Sequence, residues 1–311
     1  MIRQFILASI LSLTATYLQA NSDTYQFKYL PQSMEREWNG KDQRLSIQNS
    51  FCIQLDSGHT QTPVPSMLDI TNIRYQLKVD NLNGGGNKFI AVNGENTIPI
   101  ELLLTSPQGI SQLAPGQDTS EMNDSVFCEK PGQNLILTAN VQNLNEQPAG
   151  EYKASLRMSA FNNKFQTLTT KDIDIIIIIP KFISISAPSE IPIEDVKNPQ
   201  VTAPLCIYRN GYGLYNFKAE SLGGSKANSF ELTREGQIKS TIEYQVSIQE
   251  NSGRKHSVSP KQPIQGLHGS NSHDCLDGKK LNLQIAIPKP NINRAYAGTY
   301  QGQLKITVEV Q

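Results

Sequence analysis

The chain has 311 residues, of which 18% are charged, and its formal net charge at pH 7 is zero. Proteins that bind nucleic acid usually carry a basic excess, so this balance argues against a nucleic-acid partner. Aromatic residues make up 7% of the chain, with a single tryptophan, which gives little support to an aromatic platform for sugar binding.

Residues 1–20, MIRQFILASILSLTATYLQA, have the features of a secretory signal peptide. Arg3 provides an early positive charge, residues 5–13 are apolar, and Ala20 precedes a polar stretch, so cleavage is expected after Ala20. The alternatives are a buried helix or a membrane anchor, but the apolar run is too short to span a bilayer comfortably. About 290 residues then remain, which suits two domains better than one.

The mature chain contains the same sequence motif twice, each time at a similar distance from a cysteine. AGEYKASLRMSA begins at Ala149, and AGTYQGQLKITV begins at Ala297. The glycine of each motif follows a cysteine at nearly the same distance, 22 residues after Cys128 and 23 residues after Cys275. This joint match of motif and cysteine indicates two domains of similar construction.

Four cysteines in a secreted chain predict two disulfide bonds made in an oxidising compartment, and three pairings are possible. Cys52 and Cys206 precede the later cysteines by 76 and 69 residues, and both lie in short apolar runs. The repeat therefore favours Cys52–Cys128 and Cys206–Cys275. In the chain-entropy model each bond would contribute about 4 kcal/mol.

Alternation of apolar and polar residues predicts β-strands throughout the mature chain, and no amphipathic helix of ordinary length is predicted. Segments rich in Gly, Asn and Ser separate the strands at the spacing of antiparallel sandwiches. We therefore predict an all-β chain with two β-sandwich domains in tandem. The alternating segments include IRYQLKVDNL, NLILTANVQNL, YKASLRMSAF, IEYQVSIQE and LNLQIAIP.

The segment DIDIIIIIPKFISIS marks the boundary between the predicted domains. Residues 175–179 are five consecutive isoleucines, which cannot alternate, so we expect both faces of this strand to be covered. Pro180 ends the hydrogen bonding of the sheet, and FISIS restarts a strand. The expected domains are residues 21–180 and 183–311, and a linker as short as residues 181–182 predicts little freedom between them.

Two segments that suggest a chemical role have simpler interpretations. NLNGGGNK is rich in glycine but lacks the spacing of a phosphate-binding loop, so we predict a hairpin turn. HGSNSHDC places His268, His273 and Cys275 close together, but the repeat already gives the cysteine a disulfide partner, so no metal site is expected. No signature of a nucleophile or base is recognisable, and we expect neither catalysis nor a cofactor.

The last predicted strand, in AGTYQGQLKITVEVQ, alternates from Tyr300 onward, and no turn or further strand follows it in the sequence. An unpaired hydrophobic strand edge is a template for aggregation unless something covers it. We expect a strand from a partner to pair with this edge and to place alternate side chains in pockets. The apolar face carries Tyr300, Leu304, Ile306, Val308 and Val310.

The second half of the chain resembles a known family. APLCIYRNGYGLYNFKAES is followed by FEL, IEYQVSIQ, a late cysteine and AGTYQGQLKITVEV. This series is similar to the pilin domain of alpha-clade chaperone–usher tip subunits, the CblD-like pilus biogenesis initiators, which include the tip adhesins of class 5 fimbriae. The first half is similar to their adhesin domain in NSFCIQL, SVFCEK and DIDIIIIIPKF. The resemblance covers essentially all of the mature chain and is strongest over residues 183–311.

The resemblance implies an immunoglobulin-like pilin fold over residues 183–311 that lacks its last strand. A periplasmic chaperone would fill the open groove first, and a donor strand from the major pilin would replace it as the pilus grows from the outer-membrane usher. Ile183 and Ile185 are expected on the opposite side of the groove. Residues 21–40 are expected to pack onto the first domain, with Trp38 as an anchor.

The leading functional interpretation is a pilus tip subunit, secreted through the periplasm to the cell surface, that binds a host glycan or protein receptor and initiates assembly. Some family adhesins carry an arginine pair beyond the Ala-Gly-x-Tyr strand for acidic glycans, but this chain has Asn162 and Asn163 there. Arg74, Arg157 and Lys164 are the candidate receptor-binding residues, with a solvated outward face as the alternative role. The alternative functions are a non-adhesive assembly initiator and a secreted carbohydrate-binding or carbohydrate-active sandwich.

Overall fold

A computed structural model describes the chain except for its N-terminus and a few internal segments. The predicted signal peptide, residues 1–20, lies outside the described residues. No helix in the described part is long and apolar enough to cross a membrane. The helical segments there are two 3₁₀ turns, Leu144–Glu146 and Asn210–Tyr212, and one short α-helix, α1 (Lys289–Asn293). The structure describes residues 24–56, 72–125, 128, 135–224, 226 and 228–311.

The first unit is an eleven-stranded sheet that curls into two layers. Its strands are β1 (Thr24–Lys28), β2 (Ser33–Glu37), β3 (Arg44–Asp56), β4 (Asn72–Asn81), β5 (Phe89–Asn93), β6 (Asn96–Ser106), β7 (Gly109–Leu113), β8 (Met122–Ser125), β9 (Leu135–Gln142), β10 (Gly150–Phe161) and β11 (Thr167–Ile179). The main path runs β1-β3-β9-β6-β5-β10-β11-β2, while β4 pairs with β10 and β8, and β7 pairs with β6. β2 and β11 pair in parallel.

The second unit has two sheets. Its strands are β12 (Ile183–Ser186), β13 (Gln200–Arg209), β14 (Leu214–Leu222), β15 (Phe230–Arg234), β16 (Gln237–Glu250), β17 (Lys255–Val258), β18 (Ile264–His268), β19 (Leu281–Ala286), β20 (Tyr300–Gln301) and β21 (Gln303–Val310). One sheet runs β12-β13-β19-β16-β15-β20, with β17 paired to β16, and the other runs β18-β14-β21. Because β20 continues into β21, the chain links the two sheets at this point.

Each unit encloses its own hydrophobic core. The first core includes the fully buried Phe51 and Tyr75, and the second includes the fully buried Tyr215 and Phe217. Alternation along the strands places one apolar face of each sheet on its core. The fold is therefore all-β, with two sandwiches in tandem, as the sequence predicted.

Both predicted disulfide bonds are present. Cys52 in β3 is bonded to Cys128, with the two Cα atoms 6.2 Å apart, and Cys206 in β13 is bonded to Cys275, at 5.6 Å. In each unit the later cysteine precedes a strand that pairs with the strand of the earlier cysteine, β9 with β3 and β19 with β13. The repeated spacing in the sequence therefore marks the same position in two similar folds.

The N-terminal segment packs onto the first unit, as predicted. β1 pairs with β3, and β2 pairs with β11. Trp38 follows β2, is 2% exposed, and donates its indole N–H to the Asp42 carbonyl oxygen at 2.7 Å. Residues 21–23 lie outside the described part.

The isoleucine run forms the end of β11. Ile173, Ile175, Ile177 and Ile179 face the first core and are at most 1% exposed. Residues 176 and 178 lie on the other face and are only partly buried. The prediction that both faces would be covered is thus correct for the inner face and only partly correct for the outer face.

The prediction of a hairpin turn in NLNGGGNK is wrong. The segment leaves β4 at Asn81 and enters β5 at Phe89, but these two strands do not pair with each other. Both run antiparallel to the same edge of β10, β4 along residues 156–161 and β5 at Lys153, so the segment is a loop that interrupts this edge. Its glycine content reflects backbone conformation, since φ is 117° at Gly85 and 61° at Gly86.

Contacts from both units hold the linker between them. The Asn210 side-chain amide donates to the Pro180 carbonyl oxygen at 3.0 Å, and the Phe182 backbone N–H donates to the Asn210 Oδ1 atom at 2.9 Å. The Trp38 and Phe182 rings meet edge to face, with centroids 5.4 Å apart. Asn210 is 1% exposed, so these hydrogen bonds are shielded from water.

Candidate functional site

β21 has a paired strand on one side only. Within the described residues it pairs with β14, and no strand pairs with its other edge. β12 is in the same situation, because it pairs with β13 alone in that part of the chain. Some Cα atoms of β12 lie within 8 Å of β21, so the two unpaired edges border one gap. We call this gap, between residues 183–186 and 303–310, the open groove.

The first unit shows how such a groove is filled. β10 carries the same Ala-Gly-x-Tyr motif as β20 and β21, and it lies between β4 on one side and β11 on the other. β21 has β14 in the place of β4, but the described part of the second unit has no counterpart of β11. The second unit therefore lacks the strand that closes the first.

Burial of the two strands differs accordingly. Tyr152 and Leu156 on the inner face of β10 are 0% exposed. Their counterparts Tyr300 and Leu304 are only partly buried. The remaining apolar residues of the predicted groove face, Ile306, Val308 and Val310, are also partly buried, and Leu304, Ile306 and Val308 contact the second core.

The glycines of the two motifs have the same backbone conformation. Their φ angles are 151° at Gly150 and 152° at Gly298, in a region that favours glycine. A Cβ atom would lie 2.0 Å from the Asn93 side-chain nitrogen at the first position, and 2.6 Å from the Arg234 Nε atom at the second. The glycine of the motif is thus required by the geometry at the start of each strand.

The tyrosines of the two motifs make the same hydrogen bond. The Tyr152 hydroxyl donates to the Pro148 carbonyl oxygen, and the Tyr300 hydroxyl donates to the Tyr296 carbonyl oxygen, both at 3.0 Å and both four residues upstream. Burial raises the pKa of the Tyr152 hydroxyl, while a hydrogen bond with Asn93 lowers it. Since the local geometry of both strands is the same, the missing neighbour explains the difference in burial.

The opposite side of the groove carries the two residues named from the sequence. Ile183 is partly buried against the second core, and Ile185 is 36% exposed. Phe27 is the counterpart of Ile185, since each pairs with the residue after the first cysteine of its unit, Ile53 or Ile207. Phe27 is only 6% exposed, so the exposure of Ile185 is a further consequence of the missing strand.

Arg157, a predicted receptor-binding residue, is paired with a carboxylate. Its guanidinium donates to both oxygens of Asp172 on the neighbouring strand, at 2.8 Å and 3.0 Å. This hydrogen bonding lowers the pKa of Asp172 and raises the pKa of Arg157. Both groups are largely exposed, so they form a surface ion pair, in which Asp172 already neutralises the charge of Arg157.

The other two candidate cations lie toward the end of the first unit that is remote from the linker. Arg74 is on β4, and its guanidinium is 3.6 Å from the Glu121 carboxylate. Lys164 lies in the connection between β10 and β11, where Asn162 Oδ1 accepts hydrogen bonds from the backbone N–H groups of Lys164 and Gln166, both at 2.9 Å. The structure does not gather Arg157 with these two residues, because Arg157 lies in mid-strand.

Residues of the second core and of the linker contacts were not predicted from the sequence. Ile191 and Ile193 pack partly buried against the second core, although they belong to no strand. Their spacing of two was the signal, but the intervening proline hid it. Asn210 was also missed, because nothing in a single sequence shows that a polar side chain reaches a distant backbone.

The histidine cluster of HGSNSHDC is accounted for without a metal. His273 stacks on Tyr208, with ring centroids 3.7 Å apart, and a His268 ring nitrogen contacts the Tyr212 carbonyl oxygen at 3.2 Å. Cys275 is in its disulfide bond. The described residues contain no group of three or more His, Cys, Asp or Glu side chains arranged to hold a metal ion.

No protein-family model and no curated protein matches the chain. Several solved structures are similar to it. A chain of the CsuC–CsuE chaperone–tip adhesion subunit complex, from archaic chaperone–usher Csu pili of Acinetobacter baumannii, has 11% identity and a TM-score of 0.47; the match covers 89% of this chain and 97% of that one. CfaE, the adhesive subunit of CFA/I fimbria of enterotoxigenic Escherichia coli, has 12% identity and a TM-score of 0.39, covering 89% and 91%.

The CupB6 tip adhesin of Pseudomonas aeruginosa has 10% identity and a TM-score of 0.39, and the match covers 92% of this chain and 94% of that one. These proteins are of the class that the sequence resembles. Because the TM-scores are below 0.5, they assign no function to this chain.

Proposed function

We propose that this chain is a minor fimbrial subunit at a pilus tip. Its second unit, residues 183–311, accepts a strand from another protein, and its first unit, residues 21–180, contacts a host receptor. The observation that carries the proposal is the open groove beside β21, at the place where β11 closes the first unit. The resemblance of the second unit to pilin domains supports a periplasmic chaperone as first occupant and a major-pilin donor strand as second, exchanged at the outer-membrane usher.

The energy available to an incoming strand follows from the groove's side chains. Fully burying an aliphatic side chain stabilises by about 1.5–3 kcal/mol. Ile185, Leu304, Ile306 and Val308 are already partly buried or only partly exposed. Complete burial of each of these four side chains would therefore add about half of that free energy. Together they contribute roughly 3–6 kcal/mol before ordering costs. Backbone hydrogen bonds along β21 add to this, since that edge is unpaired.

A fusion tests strand acceptance directly. The complemented chain consists of residues 21–311, a flexible Gly/Ser linker, and a second copy of residues 167–179. In that copy the outward-facing residues carry Ile176→Thr and Ile178→Thr, which keeps the inner face and limits aggregation. The matched control carries serine in place of the copy's Ile173, Ile175 and Ile177.

We expect the complemented chain to be monomeric and soluble, with the melting temperature of the second unit raised by about 10 °C or more over the control. The chain without a fused strand should aggregate or copurify with a pilus chaperone. A chain that is monomeric and stable alone, and that gains nothing from the fused strand, would contradict the proposal.

The receptor part of the proposal concerns Arg74 and Lys164. Binding of the complemented chain to host cells and to arrays of acidic glycans should fall with Arg74→Ala and Lys164→Ala. Arg157→Ala is the comparison, because the Arg157 guanidinium donates to both Asp172 oxygens, whereas Arg74 lies 3.6 Å from Glu121, so the loss of Arg157 should matter less. Unchanged binding in all three variants would exclude these cations, and a complemented chain that binds no cell would favour a non-adhesive assembly initiator.

A further inference from the structure

The outer face of one sheet in the second unit carries a cavity of about 670 Å³. The strands β13, β19, β16 and β17 cross its floor in this order. Thr202 on β13 lies opposite Gln284 on β19, and Gln284 lies opposite Ser247 on β16. Ser257 on β17 lies opposite Ser247 on the other side of β16. These four polar side chains form a row across all four strands.

A second row lies beside the first. Gln200 and Gln245 are exposed, and both are paired with Ala286, which lies between them on β19. Because alanine is small, its side chain leaves space between the two amides. The intervening residues Ile285 and Val246 belong to the second core, so both rows face outward. A cavity of this volume is within the range of small-ligand sites.

The two rows carry no charged side chain. Among the residues described around the cavity, Lys255 and Glu243 are charged, and they lie at the rim beyond opposite ends of the rows. Glu243 is already paired with Lys226. Another outward face of the same unit carries a cross-strand ion pair, Lys305–Glu220, between β21 and β14. The neutral floor therefore differs from a solvated face that is stabilised by ion pairs.

One amide at the centre of the floor is held in a fixed orientation. The Ser247 hydroxyl donates to the Gln284 Oε1 atom at 3.4 Å, and the Gln284 Nε2 group donates to the Gln249 Oε1 atom at 3.1 Å. Four other floor side chains make no hydrogen bond within the described part of the chain. The four are Gln200, Thr202, Gln245 and Ser257. Their amide and hydroxyl groups are available to a ligand, around a central amide that is already positioned.

Amide and hydroxyl groups both donate and accept hydrogen bonds, which suits a ligand with several adjacent hydroxyl groups. An anionic ligand would leave its charge unpaired over the floor, and the centre of a protein interface is usually aromatic or apolar. Phe230 and Tyr244 beside the cavity are 3% and 6% exposed, so they offer no surface for stacking. We propose that this cavity binds a neutral carbohydrate through hydrogen bonds to its two rows. The site is apart from the open groove and from Arg74 and Lys164, so it goes beyond the proposed function.

Titrations followed by NMR test the proposal. Lactose, maltotriose, mannotriose, chitotriose and sialyllactose are each added to the isotope-labelled complemented chain. If residues 21–311 prove to be monomeric without a fused strand, that chain is used instead, so the result does not depend on strand acceptance. We expect the side-chain amide signals of Gln200, Gln245 and Gln284 to shift together with at least one neutral sugar. The dissociation constant should be on the order of 1 mM, because each hydrogen bond replaces one to water.

Three variants show whether the sugar binds in this cavity. Ala286→Leu fills the space between the two outer amides without removing a hydrogen-bonding group and should weaken binding on the order of 10-fold. Gln245→Ala removes one hydrogen bond and should weaken binding by about 3- to 10-fold. Gln265→Ala is the control, because this exposed glutamine lies on β18 in the other sheet, and it should leave the affinity unchanged.

Four results would overturn the proposal. They are equal affinities in the three variants, shifts confined to residues outside the cavity, binding of sialyllactose alone, and no shift with any of the sugars. The melting temperature of each variant, which should stay close to that of the parent because all three side chains face outward, checks that the second unit is folded.

Discussion

Equivalent leucines in the twin strands offer a matched test of the open groove. Leu156 is 0% exposed between β4 and β11, so Leu156→Ala should destabilise the first unit by about 3 kcal/mol, including the cavity left behind. Leu304 is only partly buried, and a truncation there opens no enclosed cavity. Leu304→Ala should therefore cost about 1 kcal/mol in the serine control chain and about 3 kcal/mol in the complemented chain. The difference of about 2 kcal/mol corresponds to roughly a 30-fold change in the unfolded population.

Urea denaturation separates the two units because Trp38 is the single tryptophan and belongs to the first. Its fluorescence reports the first unit, while far-ultraviolet circular dichroism reports both. Leu156→Ala should shift the unfolding transition seen by fluorescence to a lower urea concentration. Leu304→Ala should leave that transition unchanged and shift only the transition of the second unit, which circular dichroism alone detects. If Leu304→Ala costs the same in the complemented chain and in its serine control, the fused strand does not cover β21 and the reasoning is refuted.

Three other predictions concern the disulfide bonds, the linker and the surface ion pair. Replacing Cys206 and Cys275 by alanine should destabilise the second unit by about 4 kcal/mol, from the 69-residue separation, and an unchanged dichroism transition would contradict this. Asn210→Ala removes two buried hydrogen bonds that hold the linker and should reduce the stability by about 1–3 kcal/mol. Protease cleavage at residues 180–182 should become faster in this variant. An unchanged cleavage rate would count against the role of Asn210. Arg157→Ala should raise the pKa of Asp172, measured by carboxyl NMR. The pKa of Asp172 is lower in the folded chain than in the unfolded one. The ion pair therefore stabilises the fold at pH values above the unfolded-state pKa, and this stabilisation is lost as the pH falls through the folded-state pKa. The variant, which lacks the pair, should lose less stability on acidification.

The sequence predicted the features that depend on repeated position. The cysteine spacing and the Ala-Gly-x-Tyr motif recur because each fixes a point in the same fold, so both disulfide pairings and the class of fold followed from them. The glycine requirement is visible afterwards in the φ angles near 150° at Gly150 and Gly298. Alternation in β21 likewise predicted which of its faces is apolar.

Pairing partners were harder to predict than local conformation. NLNGGGNK correctly indicated irregular backbone, but glycine content does not tell whether the strands on either side pair with each other or with a third strand. The sequence indicated only that Arg157 is a cation on a strand. The register of β10 with β11 is needed to show that Asp172 lies directly opposite it. These failures share a cause, because cross-strand neighbours are set by the whole sheet and not by adjacent residues.

The two sides of the open groove differ in how far they are organised before a strand arrives. β21 has its hydrogen bonds to β14 and its tyrosine contact in place, so an incoming strand meets a formed edge there. β12 on the other side is only four residues long, Ile183–Ser186, and its Ile185 is 36% exposed, so it offers a shorter edge. Strand insertion should therefore begin along β21, and contacts with β12 should form only when the apolar side chains of the occupant are seated. An occupant that lacks those side chains would pair with β21 alone and leave the unit half closed.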